Sequence, residues 1–560
     1  MSWPSERSWG WVACASVLAL AGCTLEVVDT LAGADSSVGS GESGAVGSED
    51  GVASSGEEGG GEEGGHEGDS SGPPPLFDVG GSGDVEVASC DFASVYPSHL
   101  GCEFFAIDVD GPGLADYEPY GYVAINPVTE PVTVRLERYT GRTWLTVAEV
   151  EIDPSDEHVF LPSDNQFYST GVFSGGSYRI TSTRPIVVIQ AHPAAGTAVS
   201  ASATMLQPTT AWASTTPIAG WRTHLGVGER AHFAVVARTG GTTVTVDPTC
   251  GIVDPPDSWA DAWADVDQDG EDELVVAIEP GELLRIDAAA IDSAEVDYGT
   301  AGSVVGSGQE HLHSVFSAHS CASIPDYDGT CGHMQEQMSA TLLGTHFVAP
   351  RLIASPATEP DTWTHERVMV QVVAVDEPAT IEFTAVEAGQ VIELDSVTLE
   401  PGESYAIYEA DHEVTIAADR PIVASAFMTN PWLTELGSPS MVQLAPVAQW
   451  TTRQWVWAPE GFTTHVLVTA PVTATVEVDG ISGLAGAIAP ASPAQPLDVL
   501  ETGDLEGQGW VVHRIAVAPG IHRIHTSTPS SAIVAGFRVG DGFAYLGGWG
   551  PSLADLGPEG

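Results

Sequence analysis

The sequence predicts an all-β fold of about four β-sandwich-like repeats in tandem, and three observations support this. Val, Thr, Ile and Tyr alternate with polar residues over short runs, as in half-buried strands. Gly, Pro, Asp and Ser separate these runs, as turn residues do. Similar strand-turn-strand segments return about every 110 residues, which suits a sandwich domain better than a propeller blade. The predicted repeats cover residues 76–225, 226–350, 351–455 and 456–560.

Residues 1–22 have the features of a lipoprotein signal peptide. The apolar run 9–21 is shorter than the roughly 20 residues that a membrane-spanning helix needs. It ends in Leu20-Ala21-Gly22-Cys23, where small residues give a signal peptidase access to the bond before a lipidated thiol. We therefore expect Cys23 to be the first mature residue and its acyl chains to anchor the protein to the outer membrane. The alternatives are an ordinary signal peptide followed by a chance cysteine, and a buried apolar helix.

Residues 23–75 comprise the lipidated cysteine and a predicted tether. From about residue 36 the chain is Gly, Ser and Glu with almost no aromatic or branched apolar side chain. Such a segment cannot bury a core, and repulsion among its carboxylates extends it. The tether would hold the folded part away from the lipid, at the cell exterior or on the periplasmic face. An unstructured export leader is the alternative.

Charge and composition narrow the functions. The chain has 17 Lys and Arg against 77 Asp and Glu, a formal net charge of -60 at pH 7. Nucleic acid and anionic lipid are therefore poor partners for the folded surface, because binding either of them requires a basic face. Lysine is absent from the chain. This excludes P-loop phosphate binding, pyridoxal Schiff bases, the kinase ion pair and Ser-x-x-Lys hydrolases.

The repeats have two recognisable halves. The first half of each is predicted to be a β-hairpin, and the four copies are 122–136, 232–246, 369–383 and 465–478. The second half begins with a turn in which Pro presets the second position and Gly accepts positive φ. These turns are at Pro280-Gly281, Pro401-Gly402 and Pro519-Gly520. A closing strand follows, and its copies are 182–188, 313–317, 418–424 and 531–537.

Five cysteines lie beyond the N-terminal region, and their spacing suits an exported protein. Cys90 with Cys102 and Cys321 with Cys331 enclose short loops, and both pairs are expected to oxidise outside the inner membrane. Cys250 is left over. It is predicted to be a buried thiol, or else a partner that would change the pairing.

Zinc is the alternative use of the second cysteine pair. The ligands would be Cys321, Cys331, His319 and His333. The sequence favours the disulfide, since neither a Cys-x-x-Cys nor a His-x₃-His spacing accompanies these residues.

The segment 265–274, Asp-Val-Asp-Gln-Asp-Gly-Glu-Asp-Glu-Leu, predicts a calcium loop. Carboxylates at alternate positions can converge on one hard cation, and Gly270 permits the turn between them. Val276 stands where an EF-hand has its bidentate Glu, so the pattern is closer to the Asp-x-Asp-x-Asp-Gly loops of β-proteins. A solvated Asp-Gly loop is the alternative. The predicted ligands are Asp265, Asp267, Asp269 and Glu273.

Histidines and tryptophans are the remaining candidates for a site. The second repeat is rich in histidine, at His311, His313, His319, His333 and His346. Neither a Gly-x-Ser-x-Gly elbow nor a His-Glu-x-x-His helix accompanies them, so a hydrolase is the weakest hypothesis. A binding module would instead present an exposed patch, although aromatics in sandwiches are commonly core. The candidate aromatics are Trp432, Trp455, Trp457 and Trp549.

An ordered set of motifs resembles the N-terminal region of IgG Fc-binding proteins, which is common in myxobacterial-type surface lipoproteins. The motifs are Cys102-Glu-Phe-Phe-Ala-Ile-Asp-Val-Asp110, Ala318-His-Ser-Cys321, Cys331-Gly-His-Met-Gln-Glu-Gln337 and Gly437-Ser-Pro-Ser-Met-Val-Gln-Leu444, together with the Arg-Pro-Ile-Val strands. The resemblance covers most of residues 90–550. It implies an extracellular, adhesive or ligand-binding β-protein without catalytic residues.

The functional prediction is a lipid-anchored cell-surface protein that binds an extracellular protein or glycan and does not catalyse. Calcium is its one predicted cofactor. A structural envelope component that packs against its own copies is the second hypothesis, and a cryptic hydrolase is the third. Ligand identity, immunoglobulin binding and oligomeric state are left open by the sequence.

Overall fold

Strands dominate the computed structural model, which has one short α-helix, α1 (Cys90–Val95), and 33 strands in the residues it describes. The predicted all-β class is confirmed. The predicted signal peptide and tether lie outside the described residues. The structure describes 89–109, 120–163, 166–194, 200–223, 230–266, 270, 272–289, 299–308, 311–325, 331–356, 363–387, 390–409, 411–431, 435–481, 499–505 and 508–550.

The strands form four groups in chain order, which we call modules 1 to 4. Module 1 contains β1 (Gly101–Ile107), β2 (Gly121–Ile125), β3 (Val132–Tyr139), β4 (Trp144–Ile152), β5 (Glu157–Phe160), β6 (Gly171–Ser174), β7 (Ser177–His192) and β8 (Ser202–Met205). Module 2 contains β9 (Thr215–Pro217), β10 (Ala231–Ala237), β11 (Thr242–Asp247), β12 (Trp263–Ala264), β13 (Glu273–Ile278), β14 (Glu282–Asp287), β15 (Val304–Ser307), β16 (His313–Ala322) and β17 (Gly332–Met338).

The second half of the chain repeats this order. Module 3 contains β18 (Gly344–Ala349), β19 (Ala354–Pro356), β20 (Trp363–His365), β21 (Val368–Ala374), β22 (Ala379–Glu387), β23 (Gln390–Leu399), β24 (Ser404–Glu409), β25 (Val414–Met428) and β26 (Ser440–Gln443). Module 4 contains β27 (Thr451–Ala458), β28 (Thr463–Pro471), β29 (Val476–Ile481), β30 (Val499–Leu505), β31 (Gln508–Val517), β32 (Gly520–Arg538) and β33 (Asp541–Leu546). Short 3₁₀ helices are Thr209–Ala211, Asp257–Trp259, Ala340–Leu342 and Val447–Gln449.

One long strand organises modules 1, 3 and 4, because it takes part in both layers of the sandwich. In module 1 the first part of β7 pairs with β1 and β3, and its last part pairs with β2 and β8. The sheet order β4-β3-β7-β2-β5 returns in module 3 as β23-β22-β25-β21-β24. In module 2 the long strand is split into β15 and β16, which belong to two five-stranded sheets.

The four predicted hairpins are wrong, although their strands are present. β2 and β3 do not pair with each other; β2 pairs with β5 and β7, whereas β3 pairs with β4 and β7. The same holds for β10 and β11, β21 and β22, and β28 and β29. The link between the two strands of each pair therefore crosses from one layer to the other. Chain proximity suggested a hairpin, but each strand packs on a different part of the long strand.

The predicted Pro-Gly turns are confirmed at Gly281 and Gly402, whereas Gly520 follows a bend and begins β32. Gly281 and Gly402 have φ of 76° and 79°, and in each turn the next residue's N–H donates to the carbonyl of the residue before the proline. Gly520 has φ of 119°. An L side chain at such a φ would clash with its own backbone, so glycine is the residue that the turn requires.

Modules 1 and 3 repeat the same close contact between a glycine and a proline. A Cβ at Gly101 would lie 2.2 Å from Pro208 Cβ, and one at Gly344 would lie 2.3 Å from Pro446 Cβ. In both modules the first strand therefore packs directly on the proline that precedes the linking 3₁₀ helix. This contact ties the start of each module to its exit.

The four modules are joined in a ring through one strand from each. β8 contacts β17, β17 contacts β26, β26 contacts β33, and β33 contacts β8. Glutamine side chains replace ladder hydrogen bonds at these junctions. Gln443 Oε1 accepts from the N–H of Ser339 at 2.7 Å, and its Nε2 donates to the Ser339 carbonyl at 2.9 Å. Gln337 Oε1 accepts from the N–H of Gln207 at 2.6 Å in the same way.

The modules share their cores. One cluster combines Phe347 and Ile416 of module 3 with Trp510 and Ile533 of module 4. Another combines Ile189 and other residues of module 1 with module 4. Each module therefore buries part of its apolar surface against a neighbour, as small repeats must.

A buried ion group crosses from module 3 to module 4. The carboxylate of Glu413 accepts from Arg514 Nη2, from Arg351 Nε at 3.3 Å and from the Arg351 backbone N–H. The side chains of Glu413 and Arg514 are each 1% exposed. The single carboxylate thus holds two guanidinium groups at the module boundary.

Candidate functional site

A cleft of about 680 Å³ lies in module 4 beside the helical link from module 3. Its walls come from the 3₁₀ helix Val447–Gln449 and the residue after it, the end of β28, the start of β31 and the middle of β32. The lining residues are Val447, Trp450, Pro471, Val472, Thr473, Gly509, Trp510, Thr528 and Pro529.

Two tryptophans form an aromatic wall of the cleft. The rings of Trp450 and Trp510 meet edge to face, with centroids 4.6 Å apart and planes at 75°. Trp450 Nε1 donates to the carbonyl of Ala445 at 3.1 Å, which fixes its ring. The backbone beside the tryptophans is also fixed, because the N–H of Val472 donates to the Gly509 carbonyl at 2.9 Å. The aromatic wall is therefore held in place before a ligand arrives.

Two polar atoms of the lining have no hydrogen-bond partner in the described part of the chain. They are Trp510 Nε1 and Thr528 Oγ1, and both atoms are buried. Trp510 as a whole is 6% exposed. A buried donor without a partner costs about 1–3 kcal/mol, and Nε1 is closed to solvent in the free protein, so a ligand acceptor recovers this penalty only when a neighbouring side chain moves to admit it.

The chemistry of the cleft is packing and hydrogen bonding. All nine lining residues are Trp, Pro, Val, Gly or Thr. Val472 is 50% exposed and stands at the mouth, where an arriving ligand would cover it. Such a lining favours a neutral, largely apolar segment that carries a carbonyl or hydroxyl acceptor.

The tryptophans singled out in the sequence are not those of the cleft. Trp455, Trp457 and Trp549 are 8%, 7% and 2% exposed and belong to the cores, so the predicted exposed patch is wrong for them. Trp432 lies outside the described residues. Trp510 was missed because strand periodicity alone does not distinguish a core side chain from one that lines a cleft.

Both predicted disulfides are present, Cys90–Cys102 and Cys321–Cys331. The first joins α1 to β1, and the second closes the connection from β16 to β17. Cys250 is buried at 7% exposure and belongs to neither disulfide.

The zinc alternative is wrong, because its two sulfur ligands are joined to each other. His319 is also engaged: its Nδ1 accepts from the N–H of Cys321 at 3.0 Å, and its Nε2 is 3.1 Å from the Arg222 carbonyl. His333 Nδ1 is hydrogen-bonded to Ser202 Oγ at the junction of modules 1 and 2. Among the described residues, no group of three or more His, Cys, Asp and Glu could hold a metal ion.

The predicted calcium ligands are only partly described. Asp267 and Asp269 lie outside the described residues, whereas Asp265 is exposed at the end of β12. Glu273 starts β13, is 8% exposed, and accepts from the N–H of Val266 at 2.7 Å. One carboxylate oxygen thus closes the loop onto the strand. The calcium site stays a prediction.

The histidines of the second predicted repeat do not share one site. Three of them each lie within hydrogen-bonding distance of a different hydroxyl. His311 Nδ1 is 3.1 Å from Thr239 Oγ1, and His313 Nδ1 is 2.8 Å from Ser307 Oγ. His346 Nδ1 is 3.0 Å from the hydroxyl of the adjacent Thr345. Burial lowers the pKa of His313 to about 4. The His313 ring therefore acts as a neutral hydrogen-bond partner within module 2.

Comparison with known proteins identifies the family. A family model described as IgGFc binding protein matches residues 202–536, more than half of the 560 residues. A search of curated proteins finds no match. The matched span runs from the start of β8 into β32 and contains every residue of the cleft. The resemblance seen in the sequence motifs is confirmed, and the chain belongs to the IgGFc binding protein family.

Proposed function

We propose that this chain is a lipid-anchored, non-catalytic cell-surface protein that binds an extracellular protein or glycan through the cleft of module 4. The observation that carries the proposal is the aromatic wall with the buried, unpartnered Nε1 of Trp510. Family membership supports a ligand-binding role. The sequence at Cys23 supports attachment to the outer membrane, on its external or periplasmic face.

The binding test uses the exported chain, immobilised IgG Fc as one probe and an array of neutral glycans as the other. Trp510→Phe keeps an aromatic ring, although a smaller one, and removes Nε1, so we expect a five- to tenfold loss of affinity for the bound probe, since one hydrogen bond is worth about 1 kcal/mol. The same variant loses the packing of the larger ring but no hydrogen bond, because that N–H has no partner in the described residues, so it should be destabilised only by the smaller ring.

Trp212→Phe is the matched control. Trp212 follows the 3₁₀ helix of module 1 as Trp450 follows that of module 3, and its Nε1 donates to the Gln207 carbonyl at 3.3 Å. This variant should lose stability and keep its affinity. Undiminished binding by Trp510→Phe would show that the ligand contacts another surface.

The anchor is tested separately. Replacement of Cys23 by Ser should abolish incorporation of labelled palmitate and release the protein from membranes. Surface labelling of intact cells with a membrane-impermeant reagent would then distinguish the exterior from the periplasmic face. A Cys23→Ser protein that still carries palmitate would contradict the anchor proposal.

A self-associating envelope component is the second candidate, and the edge of module 1 favours it. β4 ends its sheet, and its Leu145 and Val147 are 56% and 48% exposed. An exposed apolar edge strand can pair with another chain. Sedimentation of wild type and of Val147→Lys tests this candidate: an oligomer that the lysine dissociates would support it.

Among the described residues, no helix is both long enough and apolar enough to span a membrane.

A further inference from the structure

Buried polar side chains lie where module 2 faces module 3. Glu336 of β17 is 4% exposed, and Ser317 of β16 is its cross-strand partner. Cross-strand partners project on one face of a sheet. The opposite wall is formed in the same way by neighbouring side chains of module 3, which are Gln371 of β21, Ser425 of β25 and Gln443 of β26.

Hydrogen bonds close the two walls onto each other. The N–H of Gln443 donates to Glu336 Oε1 at 3.2 Å. Gln371 spans the gap to Gly220, whose N–H donates to Gln371 Oε1 at 3.1 Å and whose carbonyl accepts from Nε2 at 3.0 Å. A Cβ at Gly220 would lie 3.0 Å from Ser317 Oγ and 2.1 Å from Thr300 Oγ1. The hydroxyls of Ser317 and Thr300 therefore lie together on the same side of Gly220.

Four oxygen atoms of this region have no hydrogen-bond partner in the described part of the chain. They are Glu336 Oε2, Ser317 Oγ, Ser425 Oγ and Thr300 Oγ1. All four side chains are buried. Buried polar atoms are nearly always paired in folded proteins, so these four oxygens are expected to have partners from outside the chain, either water or a bound ion.

The charge of the region selects the kind of group. Glu336 carries the one acidic side chain among the four, and its hydrogen-bond donors are neutral. Burying a carboxylate without a counter-charge is costly. A proton would neutralise the carboxylate and let Oε2 donate to one hydroxyl, whereas the remaining hydroxyls, which can donate as well as accept, would still lack a partner. A cation accepts lone pairs from all of them at once.

We propose that Glu336, Ser317, Ser425 and Thr300 form a site for a monovalent alkali cation of the sodium type between modules 2 and 3. Carboxylate and hydroxyl oxygens are the donors that hard cations take. One carboxylate balances one positive charge, whereas a divalent ion would leave a net charge buried. The bound ion would join strands of two modules at their junction in the ring.

The test is the thermal unfolding of the exported chain in sodium chloride and in N-methylglucamine chloride at equal ionic strength and pH. Sodium binds the folded state alone, so the melting temperature should rise with the logarithm of its concentration and should not rise with the organic cation. Glu336→Gln keeps the shape of the side chain and should remove the difference. Glu149→Gln, which changes an exposed carboxylate, should retain it.

Sodium-23 NMR gives a second readout that does not depend on stability. Exchange of sodium with the site broadens its resonance, and lithium or potassium should compete. Ser425→Ala removes one ligand and should weaken the affinity for sodium measured in this competition severalfold. This variant keeps the proposal testable if Glu336→Gln fails to fold.

Two results would overturn the proposal. Equal melting temperatures and equal line widths in the presence and absence of sodium would exclude the ion. A melting temperature that falls as the pH rises through about 8, with no dependence on the cation, would assign the region to a protonated carboxyl, because burial raises the pKa of Glu336 to about 8.

Discussion

Glu413→Gln tests how the ring holds modules 3 and 4 together. In the folded protein the Glu413 carboxylate receives hydrogen bonds from Arg514 and Arg351, whose side chains are 1% and 6% exposed. The amide of Gln keeps the size of the side chain but removes its charge. Two guanidinium groups would then be buried at the boundary without the carboxylate that compensates them.

The expected loss in the free energy of unfolding is large. Removing one partner of a buried ion pair costs about 3–5 kcal/mol, because the remaining charge stays desolvated. Burial alone would raise the pKa of Glu413, but the guanidinium groups of Arg514 and Arg351 outweigh burial and lower it below its ordinary value. The carboxylate's contribution to the free energy of unfolding is therefore complete above the unfolded-state pKa. It disappears as the pH falls through the lower folded-state pKa. The variant should differ most from wild type at neutral pH.

The assay is urea unfolding at pH 7 and at acid pH, with tryptophan fluorescence as the signal. Glu149→Gln is the matched control, since the pair of Glu149 with Arg135 is exposed, at 48% and 49%, and such pairs contribute little. We expect the control to keep the wild-type midpoint. Equal midpoints for Glu413→Gln and wild type at pH 7 would refute the assignment of the boundary to this ion group.

Three further predictions concern acid, packing and calcium. Burial and the charge of Arg285 lower the pKa of His232 to about 3, so the unfolded chain takes up a proton near pH 6.5 that the folded chain does not. The free energy of unfolding should fall by about 2 kcal/mol between pH 7 and 5 through this residue, and His232→Gln should flatten the pH profile; an unchanged profile would contradict the burial argument. Gly344→Ala should cost about 1–3 kcal/mol in urea unfolding, because the added Cβ would lie 2.3 Å from Pro446 Cβ, whereas Gly308→Ala meets no atom closer than 3.6 Å and should be tolerated. Calcium at a hundred times its dissociation constant should add about 2.7 kcal/mol if the loop 265–273 binds it, seen as a melting temperature that falls in chelator; equal melting temperatures would leave the loop metal-free.

The sequence alone determined the fold class, the positions of the strands, the glycine turns and the two disulfide pairs. Each of these rests on local chemistry. Alternation of apolar and polar residues makes a strand, Pro-Gly presets a turn, and two cysteines around a short loop are close in space whatever the fold. Motifs such as Cys331–Gln337 were also recognisable from the sequence, because each is a short contiguous run of residues.

Strand pairing, the ring and the sites were decided by the tertiary structure. The predicted hairpin 122–136 failed because β2 and β3 belong to different layers, and nothing local records which part of a long strand each one meets. Trp510 and Glu336 have ordinary strand patterns, yet one lines a cleft and the other ends among unpartnered oxygens. Burial is a property of what packs opposite a residue, and here the opposite residue comes from another stretch of the chain or from a neighbouring module.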